Sequence, residues 1–161
     1  MKYYKNSQNQ IYAYDDDVGE DQIKEGLTKI TEAQAKGMLE PSLEELKAAK
    51  TAELASWVNA MGESCKVEIK DFGAVNGGYK YLLNIEAMID TFDSLEVRGF
   101  RMYDNTMKKI NGQEDLKKIK RAIQIAGQKL HVLKWGYETA IEKAKTSKAL
   151  EAIKFADTIE V

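Results

Sequence analysis

The sequence predicts an α+β protein, and three observations lead to that prediction. Short segments near the N-terminus and in the middle of the chain alternate apolar and polar residues with a period of two, which is typical of strands. Two capping boxes mark helix starts between these segments. The C-terminal third repeats apolar residues at spacings of three and four, which predicts one long helix. With 161 residues, of which 43% are hydrophobic and 31% charged, the chain can bury a globular core.

The first predicted element is an N-terminal β-hairpin. Lys2–Tyr4 and Gln10–Tyr14 are rich in tyrosine and flank the polar stretch Asn6–Asn9, as two strands flank a turn. Asp15–Asp17 and then Gly19 end the second strand. These three carboxylates lack the alternating spacing and the terminal glutamate of a calcium loop, so we interpret them as a solvated turn.

Two helices are predicted next, and each begins at a capping box. The boxes pair a hydroxyl with a Glu or Gln three residues later, namely Thr31 with Gln34 and Ser42 with Glu45. The first helix is short because Pro41 disfavours helical backbone at the residue before it. The second is a helical arm from Leu43 to about Gly62. Its predicted apolar side consists of Leu46, Leu54, Trp57, Val58 and Met61. We place the domain boundary at the proline, with a hairpin and short helix in residues 1–41 and an α+β domain in residues 42–161.

A small antiparallel sheet with packed helices is predicted in the middle of the chain. A hairpin starts at Cys65, turns at Asn76-Gly77-Gly78 and returns through Tyr79–Leu83. A helix from Asn84 to about Ser94 comes next. A further strand pair is expected from Glu96 to Tyr103 and from Thr106 to Ile110, with a turn at Asp104-Asn105.

The long C-terminal helix has a heptad seam. The seam residues are Leu116, Ile119, Ile123, Ala126, Leu130, Leu133 and Tyr137. A helix of about 48 Å, at ~1.5 Å per residue, is longer than so small a domain can cover, which favours an intermolecular coiled coil and hence a homo-oligomer. Four residues beside the seam widen the apolar face, which favours packing within one chain: Ile125, Val132, Trp135 and Ile141. Gly127 and Gly136 are interpreted either as a break or as a close helix crossing. Both interpretations of the seam stay open, and a short last helix is expected from Thr146 or Ser147 through Phe155.

The charge distribution is uneven along the chain. Residues 1–46 carry a net charge of −5 and residues 113–154 a net charge of +5, within an overall charge of −2. The opposite charges can attract within one chain or between copies. The acidic N-terminal third argues against nucleic acid as a partner. Because no apolar run approaches the ~18 residues of a membrane span, we also expect no membrane insertion.

No catalytic, cofactor-binding or metal-binding residues are predicted. Cys65 is the only cysteine and His131 the only histidine, which leaves no set of ligands for a zinc or iron–sulfur site. A cysteine that opens a strand fits a buried structural thiol, and the histidine lies on a helix surface. No glycine elbow presents a nucleophilic serine. We therefore expect binding rather than catalysis.

Several segments resemble one family. The opening Met1–Asp15, MKYYKNSQNQIYAYD, resembles the start of tail-fibre assembly proteins of tailed bacteriophages, and Gly26–Ala35 and Pro41–Lys47 resemble the next segments of proteins in that group. The second half, from about Leu43 to Phe155, is similar to an uncharacterised domain at the C-terminus of such proteins. The residues behind this similarity are Phe100–Asn105 and Ala144–Ile153. That domain often has a tryptophan-containing strand before its long helix, where this chain has Phe100-Arg101-Met102-Tyr103.

The resemblance implies a chaperone-like factor that binds a trimeric tail-fibre protein noncovalently, either in the cytoplasm of a bacterial host or with the virion. It transfers no catalytic residue and no cofactor. The candidate contacts are Tyr3, Tyr4, Tyr12 and Tyr14, because tyrosine supplies contact area at low entropic cost. Packing of the hairpin onto its own domain is the alternative role for each of them.

Two other functions stay open. One is a structural component of a tail appendage, held together by the heptad seam as a dimer or trimer. The other is a DNA-binding regulator that uses the basic cluster Lys117–Arg121. The acidic N-terminal third disfavours the regulator.

Overall fold

Residues 1–94 and 98–161 are described by a computed structural model, in which the chain divides into two units, Met1–Glu45 and Leu46–Val161. Helices are combined with small sheets, so the predicted α+β class is confirmed. The domain boundary predicted from the sequence is at Pro41, and the division between the units falls within the first turn of the next helix.

The tyrosine-rich hairpin of the first unit forms as predicted. Strand β1 (Lys2–Lys5) pairs antiparallel with strand β2 (Ile11–Tyr14). In the turn, the side-chain oxygen of Asn6 accepts hydrogen bonds of 2.9 Å from the backbone N–H groups of Gln8 and Gln10. The asparagine side chain thereby satisfies backbone donors that the tight turn leaves unpaired.

A third strand and a helix complete the first unit. Strand β3 (Thr28–Ile30) pairs antiparallel with the other side of β1. This strand was not predicted, because a segment of three residues is too short to show an alternating pattern. Helix α1 (Glu32–Leu39) begins at the predicted capping box. The N–H of Gln34 donates to the Thr31 hydroxyl at 3.1 Å, and its side-chain oxygen accepts from the Thr31 N–H at 2.9 Å. The helix ends before Pro41, as predicted.

The helical arm is helix α2 (Leu43–Glu63), and it also begins at its predicted capping box. The N–H of Glu45 donates to the Ser42 hydroxyl at 3.2 Å, and the Ser42 N–H donates to the Glu45 carboxylate at 2.7 Å. Of the predicted apolar side, Leu54 and Met61 are buried, and the other three residues are half-buried.

The second hairpin forms, but its predicted turn is wrong. Strand β4 (Cys65–Ile69) pairs antiparallel with strand β5 (Gly73–Gly77), and the chain turns at Asp71, which adopts a φ of 60°. Asn76 and Gly77 therefore lie inside a strand. A Cβ at Gly77 would stand 2.4 Å from a methyl of Val67, so this glycine serves close packing rather than a turn.

The segment predicted to be the return strand, Tyr79–Leu83, is helical. It forms the first turns of helix α3 (Tyr79–Asp90), which starts well before the predicted cap at Asn84. Gly78 precedes the helix with a φ of 105°, and a Cβ there would lie 2.4 Å from the carbonyl oxygen of Glu63. Gly78 is required by a close backbone approach and Gly77 by close side-chain packing. Short-range sequence signals cannot distinguish these two requirements from a hairpin turn.

The third predicted strand pair is formed by strand β6 (Gly99–Arg101) and strand β7 (Met107–Lys109), which pair antiparallel. They turn at Asp104-Asn105 as predicted, where Asn105 has a φ of 68°. The expected first residues of this segment, Glu96 and Val97, lie outside the described residues.

The C-terminal helix is helix α4 (Gln113–Lys143), and its 31 residues continue without a break through Gly127 and Gly136. It packs against α3 and against the sheet of the second unit. Helix α5 (Ser147–Glu151) is capped by the hydroxyl of Thr146, and it ends before the predicted limit at Phe155.

The last strand was not predicted. Strand β8 (Thr158–Glu160) pairs in parallel with β4, so the sheet has the order β5-β4-β8. The segment is short, and its partner strand is distant in sequence, so no local sequence pattern indicates the pairing. The core of the second unit lies between this sheet, α3 and α4.

Candidate functional site

The tyrosines predicted as contacts do not form one patch. Tyr4 and Tyr12 are cross-strand partners on one face of the first sheet, and strand alternation places Tyr14 on that face and Tyr3 on the other. Tyr4 is only 6% exposed and packs edge-on against the ring of Tyr14 at a centroid distance of 5.7 Å. Tyr4 therefore belongs to the core of the first unit, and the other three tyrosines are half-buried.

Most of the heptad seam lies in the core of its own chain. Five seam residues are buried in the second unit, namely Leu116, Ile119, Ile123, Ala126 and Leu130. Leu133 is half-buried, and the ring of Tyr137 packs against Trp57 at 5.3 Å and Phe155 at 5.0 Å. The first five positions contact their own chain, so they are not available to a second copy in this structure.

A cleft of about 350 Å³ opens between α3 and α4. Tyr79 and Leu82 line it from α3, and Gly127 and His131 line it from α4. Among the described residues, a Cβ at Gly127 would have no neighbour within 4 Å beyond the local helix. The missing side chain thus leaves the α4 wall of the cleft open.

Of two exposed aromatic side chains in this region, Tyr79 lines the cleft and Trp135 lies one turn beyond its lining residue His131. Tyr79 is 70% exposed, and Leu83 lies one turn later on the same face of α3. On α4, Trp135 is 60% exposed and lies one turn after His131, with their ring centroids 6.4 Å apart. We call the surface formed by Tyr79, Leu82, Leu83, Gly127, His131 and Trp135 the aromatic cleft.

The sequence had indicated something different for Trp135. It and Val132 were expected to widen a packed apolar face, and both are exposed, whereas Ile141 is buried as expected. The periodicity of a helix shows how wide its apolar face is, but it does not show which part of that face has neighbours. Tyr79 was missed because its segment was predicted to be a strand.

Cys65 is among the residues that line the cleft. Its thiol is buried, and this burial raises its pKa above the ordinary value of 9.0, so the nucleophilic thiolate is disfavoured. Throughout residues 1–94 and 98–161, no three His, Cys, Asp or Glu side chains are grouped as a metal ion would require.

The basic cluster at the start of α4 is partly neutralised. Lys117 pairs with Glu114 at 2.7 Å, and Lys120 pairs with Glu86 at 3.0 Å. Two of its four cations therefore already have a carboxylate partner, which weakens the field that the cluster can offer to phosphates.

Comparison of the chain with protein-family models, with curated proteins and with solved structures returned no match. No helix in the described part of the chain has the length and apolar composition to cross a membrane. The described residues form an α+β protein with an open, mainly apolar cleft on its second unit.

Proposed function

We propose that this protein acts by noncovalent binding to another protein, through the aromatic cleft. The observation behind the proposal is the exposure of Trp135 and Tyr79 on the two helices that border an open apolar cleft. Tryptophan and tyrosine are the residue types most enriched at the energetic centres of protein interfaces. Large aromatic side chains left in water on two packed helices are stabilised when a partner covers them.

The cleft is suited to an apolar anchor of the partner. Its walls are mainly apolar, and Gln124 and Gln128 supply neutral polar groups at its side. Binding would require no cofactor. Because both helices belong to the packed core of the second unit, the surface is preorganised, which lowers the entropic cost of association.

For the partner, we propose a phage tail-fibre protein, with this chain acting as an assembly factor in the bacterial host cytoplasm or remaining with the virion. Support comes from the resemblance of Met1–Asp15 and of the second half to tail-fibre assembly proteins. An immature fibre chain exposes apolar segments that later become buried in the trimer. A cleft for apolar anchors suits such a client.

The test uses two glycines of α4 as a matched pair. Neither Gly127 nor Gly136 would have a neighbour within 4 Å of an added Cβ among the described residues, beyond the local helix, so leucine should be tolerated at both. Gly127→Leu fills the cleft, whereas Gly136→Leu lies outside its lining. The tail-fibre protein encoded in the same genome is co-expressed with each variant. Soluble fibre trimer and complex affinity are then measured by size-exclusion chromatography and calorimetry.

We expect Gly127→Leu to weaken the complex by about tenfold or more and to lower the yield of soluble trimer. Gly136→Leu should behave like the wild type. Equal affinity of the two variants would exclude the aromatic cleft as the binding surface. A fibre yield that does not depend on this chain at all would exclude the proposed client.

A structural component of a tail appendage is the second candidate. The length of α4 and the exposure of Val132 beside its seam favour it, because some of the apolar face remains without a neighbour. This role predicts a stable oligomer within particles that is held together by α4, and an assembly factor does not require such an oligomer.

A further inference from the structure

Strand β8 forms an edge of the sheet in the second unit. Beyond its end, the N–H of Val161 donates to the carbonyl of Glu68 at 2.9 Å, and the Val161 carbonyl accepts from the N–H of Lys70 at 3.4 Å. Both backbone groups of Val161 thus point toward β4. Since successive residues of a strand alternate in direction, Ile159 also points toward β4, and Thr158 and Glu160 present their N–H and C=O groups to the free edge.

A side-chain contact independently supports this assignment. The Lys129 ammonium donates a 2.6 Å hydrogen bond to the carbonyl of Glu160 from outside the sheet. A carbonyl oxygen can accept two hydrogen bonds, so this contact leaves one position open, and the N–H groups of Thr158 and Glu160 have no strand beside them among the described residues.

An apolar cleft of about 400 Å³ lies along the same edge. Val132 and Leu133 of α4 and Ala156 line it beside β8. Val132 is 62% exposed. A strand added to β8 would cover this cleft and would also pair with the outward backbone groups of β8. The two features therefore point to an extended segment of polypeptide as the occupant.

The edge of β8 is complementary to itself. Two copies placed antiparallel about a twofold axis at Ile159 bring Thr158 of each copy opposite Glu160 of the other. Each of these two pairs can exchange two N–H···O bonds, as hydrogen-bonded antiparallel pairs do. The Glu160 carboxylate then faces a threonine hydroxyl instead of a second carboxylate, so like charges are not opposed.

We propose that β8 is a dimerisation edge, which pairs antiparallel with β8 of a second copy and joins the two three-stranded sheets into one. A twofold interface uses the same patch on both subunits, and this edge satisfies that requirement. None of the six residues that define the aromatic cleft lies on β8, so Gly127→Leu should leave the dimer intact.

The experiment compares Glu160→Pro with Glu160→Ala by light scattering over a hundredfold dilution. Both variants lose the carboxylate, but only proline removes the outward N–H, and no ladder bond to β4 uses that N–H. We expect the wild type and Glu160→Ala to form dimers. The dissociation constant of the Glu160→Pro dimer should be higher than theirs by about tenfold or more. Urea unfolding at a concentration where all are monomers checks that the fold is retained.

Two results would overturn the proposal: a wild type that stays monomeric at every concentration, or a proline variant that dimerises as tightly as the alanine variant. If the proline variant does not fold, amide exchange in the wild type tests the proposal instead. Protection of the Thr158 and Glu160 amides that appears only at high concentration supports the dimer, and fast exchange at all concentrations excludes it.

Discussion

The indole Nε1 of Trp57 donates a 2.7 Å hydrogen bond to the backbone carbonyl of Ala156. The backbone N–H of Ala156 donates to the hydroxyl of Tyr137 at 3.0 Å. Both backbone groups of Ala156 are therefore held by aromatic side chains, one from α2 and one from α4. This contact fixes the chain just before it enters β8.

Replacing Trp57 by phenylalanine should lower the free energy of unfolding by about 1–3 kcal/mol. The substitution keeps an aromatic ring near Tyr137 and Phe155 but leaves the Ala156 carbonyl without its donor. Urea unfolding followed by circular dichroism measures the change. Tyr137→Phe tests the other half of the contact and should cost a similar amount, whereas an unchanged midpoint in both variants would mean that the two hydrogen bonds add no stability.

Leu130→Glu should unfold the second unit rather than release folded monomers. Leu130 is buried in the core, where an unpaired carboxylate costs more than about 4 kcal/mol. Circular dichroism reports the fold, and light scattering reports the mass. Thr139→Glu adds the same charge at an exposed position of α4 and should remain folded. Well-folded monomers of Leu130→Glu would show instead that this seam position serves an interface.

Gly78→Ala should destabilise the second unit by about 3 kcal/mol or more. The residue has a φ of 105°, and the added Cβ would lie 2.4 Å from a carbonyl oxygen of Glu63. Gly62→Ala is the matched control, because it lies inside α2 with no neighbour within 4 Å of its Cβ among the described residues beyond the local helix. That variant should gain about 0.5–1 kcal/mol. Equal thermal midpoints for the two would contradict the close approach at Gly78.

The capping box of α2 should be sensitive to acid. Hydrogen bonds from the backbone N–H and the hydroxyl of Ser42 lower the pKa of Glu45 below its ordinary value of 4.5. Because the folded pKa is the lower one, the stabilisation is complete above the unfolded pKa and is lost as the pH falls through the folded pKa.

Two measurements check this behaviour. Carboxyl titration by NMR should place the Glu45 pKa below 4.5, and amide exchange in the first turn of α2 should accelerate at acid pH. Glu45→Gln keeps a capping residue that does not titrate, so its first turn should show no such loss. The same acid-induced fraying in the glutamine variant would assign the effect to another group.

Local chemistry explains which elements could be predicted from the sequence. The hairpin around Asn6 and both capping boxes depend on residues only a few positions apart, so their patterns were visible. The glycines at 77 and 78 meet the distant residues Val67 and Glu63, so the sequence showed that glycine was present but not why. β8 could not be predicted because its parallel partner is distant along the chain.

Less of the candidate site than of the fold could be predicted from the sequence. Five of the seven seam residues of α4, including Leu116 and Ile119, are buried, whereas Leu133 and Tyr137 are half-buried. The period of α4 could not reveal that Trp135 would remain exposed, since exposure depends on where the other elements end. The N-terminal tyrosines were chosen for their residue type, and Tyr4 shows that type alone does not separate a contact residue from a core residue.

The parallel pairing of β4 with β8 also sets an order of events during synthesis. β1, β2 and β3 all lie within the first 30 residues, so the first sheet can form while α4 is still being translated. β4 must wait for residues 158–160, and closing so long a loop makes this pairing a late step. Until then one side of β4 is an uncovered strand edge, and the nascent second unit is most open to wrong pairing during that interval.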